Sequence, residues 1–327
     1  PERRWCPGLT VGAPSRSDPS RTGYKVGMDF AITGSTGLIG QALTSSLQAD
    51  GHRVIPVVRS PGRKDAVRWD PAGGTIDAAG LEGLDGVVHL AGEGIASGRW
   101  TDAQRTRIRA SREQGTTLLA ATLAGLDRPP SVLVSGSAIG YYGDRGDEVL
   151  TEEAKPGDDF LAKVCVAWEG ATAQAEAAGI RTVHLRTGIV LDAHGGALAK
   201  QLLVFKLGLG AKAGSGQQWM SWITLHDEVR AIRFALDETS VVGPLNLTAP
   251  EPVTNAAFTD AVGEALHRPT FLTIPRLARR APLGIGDLVD SLLFSSARLQ
   301  PTHLLHAGFA FDHAELGPAL ASVLGRP

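Results

Sequence analysis

Residues 33–40 read Thr-Gly-Ser-Thr-Gly-Leu-Ile-Gly. They come directly after the apolar run Phe30-Ala31-Ile32. They open a stretch in which Ile39, Leu43 and Leu47 recur every fourth residue, as on one face of a helix. A strand that turns through glycines into a helix has a physical use. Glycine lets the backbone take positive φ and lie close to a ligand, and the free N–H groups at the helix start attract a phosphate. The position of the glycines, more than their number, makes this a dinucleotide-type turn, held by Gly34, Ser35, Thr36, Gly37, Leu38, Ile39 and Gly40.

The rest of the chain alternates in the same way. Apolar strands are expected at 52–59, 85–92, 131–137 and 181–191, with helices at 101–125 and 159–179 between them. Thr101 reads as a helix cap, and Gly51 and Gly179 as helix ends. Alternating strands and helices imply a parallel sheet with right-handed crossovers, covered on both faces. The expected fold class is therefore α/β with a doubly wound parallel sheet. Beyond residue 190 the rhythm breaks into Gly-rich stretches and short helices. The expected organisation is an extension over 1–27, a nucleotide-binding domain over 28–190 to which 222–249 returns, and a lobe made mainly of 191–327. Residues 1–27 are rich in Pro, Gly, Ser and Arg without a hydrophobic period, and read as a flexible extension.

Composition removes several classes. The net charge is −2, which lacks the basic bias of a nucleic-acid or membrane-surface binder. Two cysteines, Cys6 and Cys165, cannot frame a disulfide scaffold or a cysteine-rich zinc site, and they fit a cytoplasmic protein. No apolar run is long enough to span a bilayer. The histidines are scattered without ligand spacing, so no metal is expected. The expected ligands are a nicotinamide cofactor and a small molecule, with a homodimer left open.

The end of the second strand selects the cofactor. NAD-preferring sites place an acid there on the ribose 2′-hydroxyl. Here no Asp or Glu stands between Asp50 and Asp65, and Arg59 holds the place, with Arg63 and Lys64 following. Arginine suits a phosphate, so NADP(H) is expected over NAD. The bland alternative is an exposed loop arginine.

The segments "TGSTGLIG", "DGVVHLAG" and "SVLVSGSAIGYYGD" resemble the extended short-chain dehydrogenase/reductase superfamily. "FLAKVCVAWE", "LRTGIVLDAHGGAL", "GSGQQWMSWITLHDEV" and "LLFSSARLQPTHLLHAGFAFDHAEL" are similar to its atypical nucleoside-diphosphate-sugar epimerase-like branch, which has a small C-terminal domain. The resemblance implies that the doubly wound parallel sheet is Rossmann-like, with a smaller C-terminal substrate lobe, and that Leu90, Ala91 and Gly92 line the cofactor. It also places Ser135 and Ser137 near the nicotinamide, with Ser137 bonded to a substrate oxygen. A strand-end hydroxyl is the plain alternative for Ser137.

The superfamily's chemistry uses Tyr-x-x-x-Lys on a helix, and that pattern is absent. The three tyrosines, Tyr24, Tyr141 and Tyr142, are followed four residues on by Met28, Arg145 and Gly146. With Glu169 as the register mark, the two places hold Leu161 and Cys165; with Lys163 taken as the lysine, the tyrosine place holds Asp159, and neither alignment restores the acid. Tyr141 is the best-placed substitute phenol, with packing as its alternative. Arg186 reads as an anion anchor for substrate or as a buried ion-pair partner. Arg99, Arg105, Arg107, Arg109 and Arg112 read mostly as a solvated helix face. Two functions remain open: an NADP-dependent epimerase- or reductase-like enzyme, or a catalytically weak NADP-binding sensor that acts through partners.

Overall fold

The computed structural model describes residues 27–60, 65–280 and 285–325. The extension, Cys6, Arg63 and Lys64 lie outside the described residues. Eight strands form the central sheet: β1 (Asp29–Thr33), β2 (Arg53–Val58), β3 (Val67–Asp70), β4 (Thr75–Ile76), β5 (Gly86–His89), β6 (Val132–Ala138), β7 (Arg181–Thr187) and β8 (Gly243–Leu247). Their order is β8-β7-β6-β5-β1-β2-β3-β4. All neighbours are parallel except β3 and β4, which form an antiparallel hairpin at the edge.

The strand interiors alternate between two cores. Phe30, Ile32, Val88, Val134, Val183 and Leu185 face helices α1 (Leu38–Ala49) and α5 (Leu225–Asp237). Ala31, Val87 and Leu133 face the opposite way, against Leu119 and Leu123 of α2 (Asp102–Ala124). Both faces are buried, so Phe30-Ala31-Ile32, Val87-Val88 and Val132-Leu133-Val134 are apolar at successive positions rather than at every second one.

The helices begin where their caps stand. Thr101 accepts a hydrogen bond from the Gln104 N–H, and Asp159 accepts one from Ala162 at the head of α3 (Phe160–Gly170). Thr224 accepts from the Asp227 N–H, so the hydroxyl of Thr224 caps α5. The expected 159–179 helix is two: α3 ends at Gly170 and a second short helix runs over Ala173–Ala177. Thr172 makes the break by turning its hydroxyl back to the Glu169 carbonyl.

The C-terminal lobe has its own core. Leu198, Leu202 and Phe205 of α4 (Gly196–Lys206) pack with Trp222, with Phe258 and Val262 of α6 (Asn255–Leu266), and with Leu320 of α7 (Leu316–Val323). Trp222 is fully buried in this core. The expected 181–191 strand divides at Gly188: β7 stays in the main sheet, while Ile189–Leu191 pairs with Trp222–Thr224. That division carries the chain out of the sheet into the lobe. No helix among the described residues is long and apolar enough to cross a membrane.

The chain leaves β1 toward β2 and later returns to β5 on the other side of β1. The crevice at such a reversal, beyond the carboxyl ends of the strands, is where open α/β sheets hold ligands. The glycine turn and residues 90–92 meet there.

Candidate nucleotide-binding site

The turn after β1 is shaped by close approach. Gly34 has φ +68°, and a Cβ there would stand 2.8 Å from the Leu90 carbonyl carbon. At Gly40 a Cβ would stand 2.3 Å from the Gly34 carbonyl oxygen. The Gly37 N–H donates to that same oxygen at 2.9 Å, which closes the turn. Gly37 then caps α1 without a side chain, and no acid stands in the first turn of the helix. Thr36 and Gly37 are exposed, and Ser35, Leu38 and Ile39 half-buried. The sequence-derived set thus comes together as an uncapped helix start facing the crevice, which suits a pyrophosphate. Gly195 of the lobe rests on Leu38, since a Cβ there would stand 2.6 Å from Leu38 Cδ1.

Gly34→Ala has to strain the backbone or push Leu90 away. Such strain costs about 1–3 kcal/mol. Taken from binding, this is about ten- to a hundredfold in dinucleotide affinity, to be read by titration of NADPH.

Residues 90–92 are held in place by a buried clamp. The Thr33 hydroxyl oxygen accepts from the Leu90 and Ala91 N–H groups at 3.0 and 3.1 Å. Its proton therefore goes to His89 Nδ1 at 2.7 Å, and His89 Nε2–H donates to Thr116 at 2.9 Å. Burial, aided by the positive charge of Arg112, pushes the His89 pKa down to about 4, so the ring stays neutral in this role. Leu90 and Ala91 are half-buried and Gly92 exposed at the crevice. Sequence reasoning missed this clamp, although a histidine inside the apolar strand of "DGVVHLAG" was its signal.

Arg59 is exposed just beyond the end of β2, and among the described residues it has no hydrogen-bond or ion-pair partner. A guanidinium left free where an NAD site would carry an acid fits a phosphate.

The other end of the crevice is built on β6, α3 and β7. Ser137 donates its hydroxyl proton to Glu169 Oε1 at 2.6 Å. Glu169 is in turn gripped by Arg186, with Nε to Oε1 and Nη2 to Oε2 both at 2.9 Å. Arg186 Nη1 donates to the Tyr142 hydroxyl and to the Glu152 carbonyl. Burial works against the Arg186 charge, but Glu169 outweighs it and the guanidinium is held firmly protonated. Only 3% exposed and with its donors spent inside the fold, Arg186 has the arrangement of the buried ion-pair partner. Its partner is internal, because β7 pairs Arg186 with Ser137 of β6 and turns both side chains onto α3. Ser135, toward the end of β6, is fully buried with no partner for its hydroxyl among the described residues.

These bonds set what the residues can do. The Ser137 proton is committed to Glu169, which leaves the oxygen's lone pairs for a donor such as a substrate hydroxyl. Tyr141 is half-buried on the Ile139–Tyr142 turn, with the Arg186 guanidinium 3.5 Å from its ring centre. Tyr142 is buried, and burial drives its hydroxyl up to about 12, which removes it as an acid at neutral pH. Leu161 and Cys165 stand on α3 beside Gly140, where a Cβ would lie 3.3 Å from Leu161 and 3.9 Å from the sulfur. Burial, with Glu169 next, pushes the Cys165 thiol up to about 12, so it is an uncharged core group and not a nucleophile.

Arg112 departs from the solvated-face reading. Its Nη1 donates to the Glu93 and Ile108 carbonyls at 2.9 and 3.1 Å, and its guanidinium carbon lies 4.8 Å from the Trp168 ring centre. Arg105 also lies against aromatic rings, 5.7 Å from Trp100 and 5.1 Å from Phe160, and pairs with Asp287. Arg109, exposed and paired with half-buried Glu113, is in keeping with a solvated face.

At the seam with the lobe, His226, Asp227 and Asp312 place ligand-type atoms within 4.8 Å of one another. Arg230 lies 2.7 Å from Asp227 and 3.3 Å from Asp312, so a cation already balances these acids. The Asp227 carboxylate also accepts the Asp312 and His313 N–H groups, which pins the C-terminal segment to α5.

Parallel sheet, reversal crevice and glycine turn define a Rossmann-type protein with a site shaped for a dinucleotide. The family model described as the NAD dependent epimerase/dehydratase family matches residues 30–247, and the chain belongs to that family. A second model, a domain of unknown function, matches residues 274–323. The chain is 45% identical to an epimerase family protein of Mycobacterium bovis over 91% of its own length and 98% of that protein's. It is 34% identical, with a TM-score of 0.83, to the human epimerase family protein SDR39U1 solved with NADPH, covering 92% of this chain and 100% of that one. A nucleoside-diphosphate sugar epimerase from Corynebacterium glutamicum is 38% identical with a TM-score of 0.76. The match covers 91% of this chain but only 58% of that longer one.

Proposed function

We propose that the protein binds NADP(H) and acts as an atypical epimerase- or reductase-like member of its family on a small molecule. The carrying observation is the uncapped α1 start behind Gly34 and Gly40, with Arg59 unpaired at the end of β2. The human relative solved with NADPH supports the same reading. Gly34 to Gly40 would hold the pyrophosphate, Arg59 the 2′-phosphate, and Leu90 to Gly92 the dinucleotide beside β5. The bound cofactor would supply hydride transfer. Ser137 orients a substrate hydroxyl toward the Glu169 carboxylate, and Tyr141 is the one phenol at the site free to move a proton. A cytoplasmic location is in keeping with the cysteine usage.

One observation favours the second reading, a weakly catalytic cofactor sensor. The two places where the superfamily carries tyrosine and lysine hold Leu161 and a protonated Cys165. Incubating the protein with NADPH and a panel of carbonyl and sugar-nucleotide substrates separates the readings. The enzyme reading expects turnover on at least one substrate, reduced about a hundredfold or more in Ser137→Ala. Cofactor binding with no turnover across the panel supports the sensor.

A further inference from the structure

Two arginines reach the reaction end of the crevice, and they differ in what they have left to give. Arg186 spends Nε, Nη1 and Nη2 on Glu169, Tyr142 and Glu152. Arg112 spends only Nη1, on two carbonyl oxygens, and among the described residues it forms no ion pair. Its Nε and Nη2 make no hydrogen bond among the described residues. These two N–H groups form the side-on edge of a guanidinium, the pair of parallel donors that meets both oxygens of a carboxylate.

The place is as telling as the donors. A Cβ at Gly92 would stand 3.2 Å from the Arg112 guanidinium carbon and 3.4 Å from Nη2, so a glycine at the end of the "HLAG" segment is what lets the cation reach the crevice. On the other side, Trp168 stacks beneath it. The thiol of Cys165 is uncharged, Glu93 is not within ion-pair distance, and burial lowers the Arg112 pKa. Cys165 adjoins Ser137 and α2 packs on α3, so Arg112 lies on the same side of the sheet as the Ser137 hydroxyl. A partly buried cation without a counter-charge is costly to a fold unless a ligand supplies the anion.

We propose that Arg112 is a substrate-binding residue whose Nε/Nη2 edge takes a carboxylate, which makes the substrate a small carboxylic acid, with any hydroxyl it carries within reach of Ser137. This rests on the reading of the crevice as a cofactor-dependent site and names its substrate class.

The test compares acetate, pyruvate and benzoate with their neutral amides, acetamide, pyruvamide and benzamide. Each is titrated into the full chain, with and without saturating NADPH, in low-chloride buffer. The proposal expects at least one carboxylate to bind tenfold or more tightly than its amide. Arg112→Gln should erase that preference while NADPH affinity stays within twofold, and Arg112→Lys, which keeps the charge but loses the fork, should restore part of it. Retained thermal unfolding of both variants shows that they fold. Equal binding of acid and amide in all three pairs, or a preference that survives in Arg112→Gln, overturns the proposal. Failure of NADPH to bind at all refutes the cofactor reading instead, and the acid–amide comparison on the chain alone still decides the role of Arg112.

Discussion

Arg186→Met is expected to lower stability by about 3–5 kcal/mol, because it leaves a buried carboxylate without its cation. Glu169 is 12% exposed in its side chain and is held by two 2.9 Å bonds from Arg186. Removing the guanidinium also takes away the donor to the Tyr142 hydroxyl, which keeps its own bond to Asn246, and unpairs the Glu152 carbonyl. The reverse change, Glu169→Leu, strands the guanidinium and should cost a similar amount. The double variant removes both charges and should recover most of the loss, since apolar replacements of a buried pair are often neutral or better. Urea unfolding of the four proteins reads the coupling directly. Additive losses would mean that the two residues act independently, contrary to the geometry.

The second large effect is a dependence of stability on pH set by Glu228. This residue is 0% exposed beneath the end of β7, accepts one bond from the Thr187 hydroxyl at 2.9 Å, and has no partner for Oε2 among the described residues. Burial moves its titration from 4.5 up to about 8, and only the Thr187 bond opposes the shift. The folded state therefore holds the proton more tightly than the unfolded state. Its contribution is complete below pH 4.5 and is lost as pH rises through about 8. At about 1.4 kcal/mol per pH unit this ties about 4–5 kcal/mol to one proton. Glu228→Gln keeps the shape and the Thr187 contact without the titration. It should unfold at higher urea than the parent at pH 9 and should flatten the profile between pH 5 and 9. A parent protein no less stable at pH 9 than at pH 6 would show that the carboxyl is solvated.

Much of this fold could be read from residue order. Strand, glycine turn and helix over 30–50 have local causes, a 3.6-residue period and a backbone that only glycine allows, and both show in the letters. The same holds for the Thr101 cap and the glycine ends. Long-range pairing does not show in this way. Nothing local distinguishes β7 from the Ile189–Leu191 strand, because the break depends on where Trp222–Thr224 arrives from the distant lobe. The β3–β4 hairpin at the edge was likewise not foreseen. At the site, the cofactor turn was legible because its chemistry is contiguous. The reaction end was not, because it is assembled across strands. Arg186 and Arg112 carry the same letter, and only the register of β6 on β7 and the packing of α2 on α3 decide which is spent on Glu169 and which keeps free donors.

The central claim is that the crevice is built for a dinucleotide with a 2′-phosphate. Titration of NADPH and NADH into the protein, followed by tryptophan fluorescence and repeated with Arg59→Glu, tests it most directly. The account predicts that NADPH binds at least tenfold more tightly than NADH, and that Arg59→Glu removes this difference while leaving NADH binding nearly unchanged. Equal affinities in the parent protein, or an NADPH preference that survives the substitution, would contradict it.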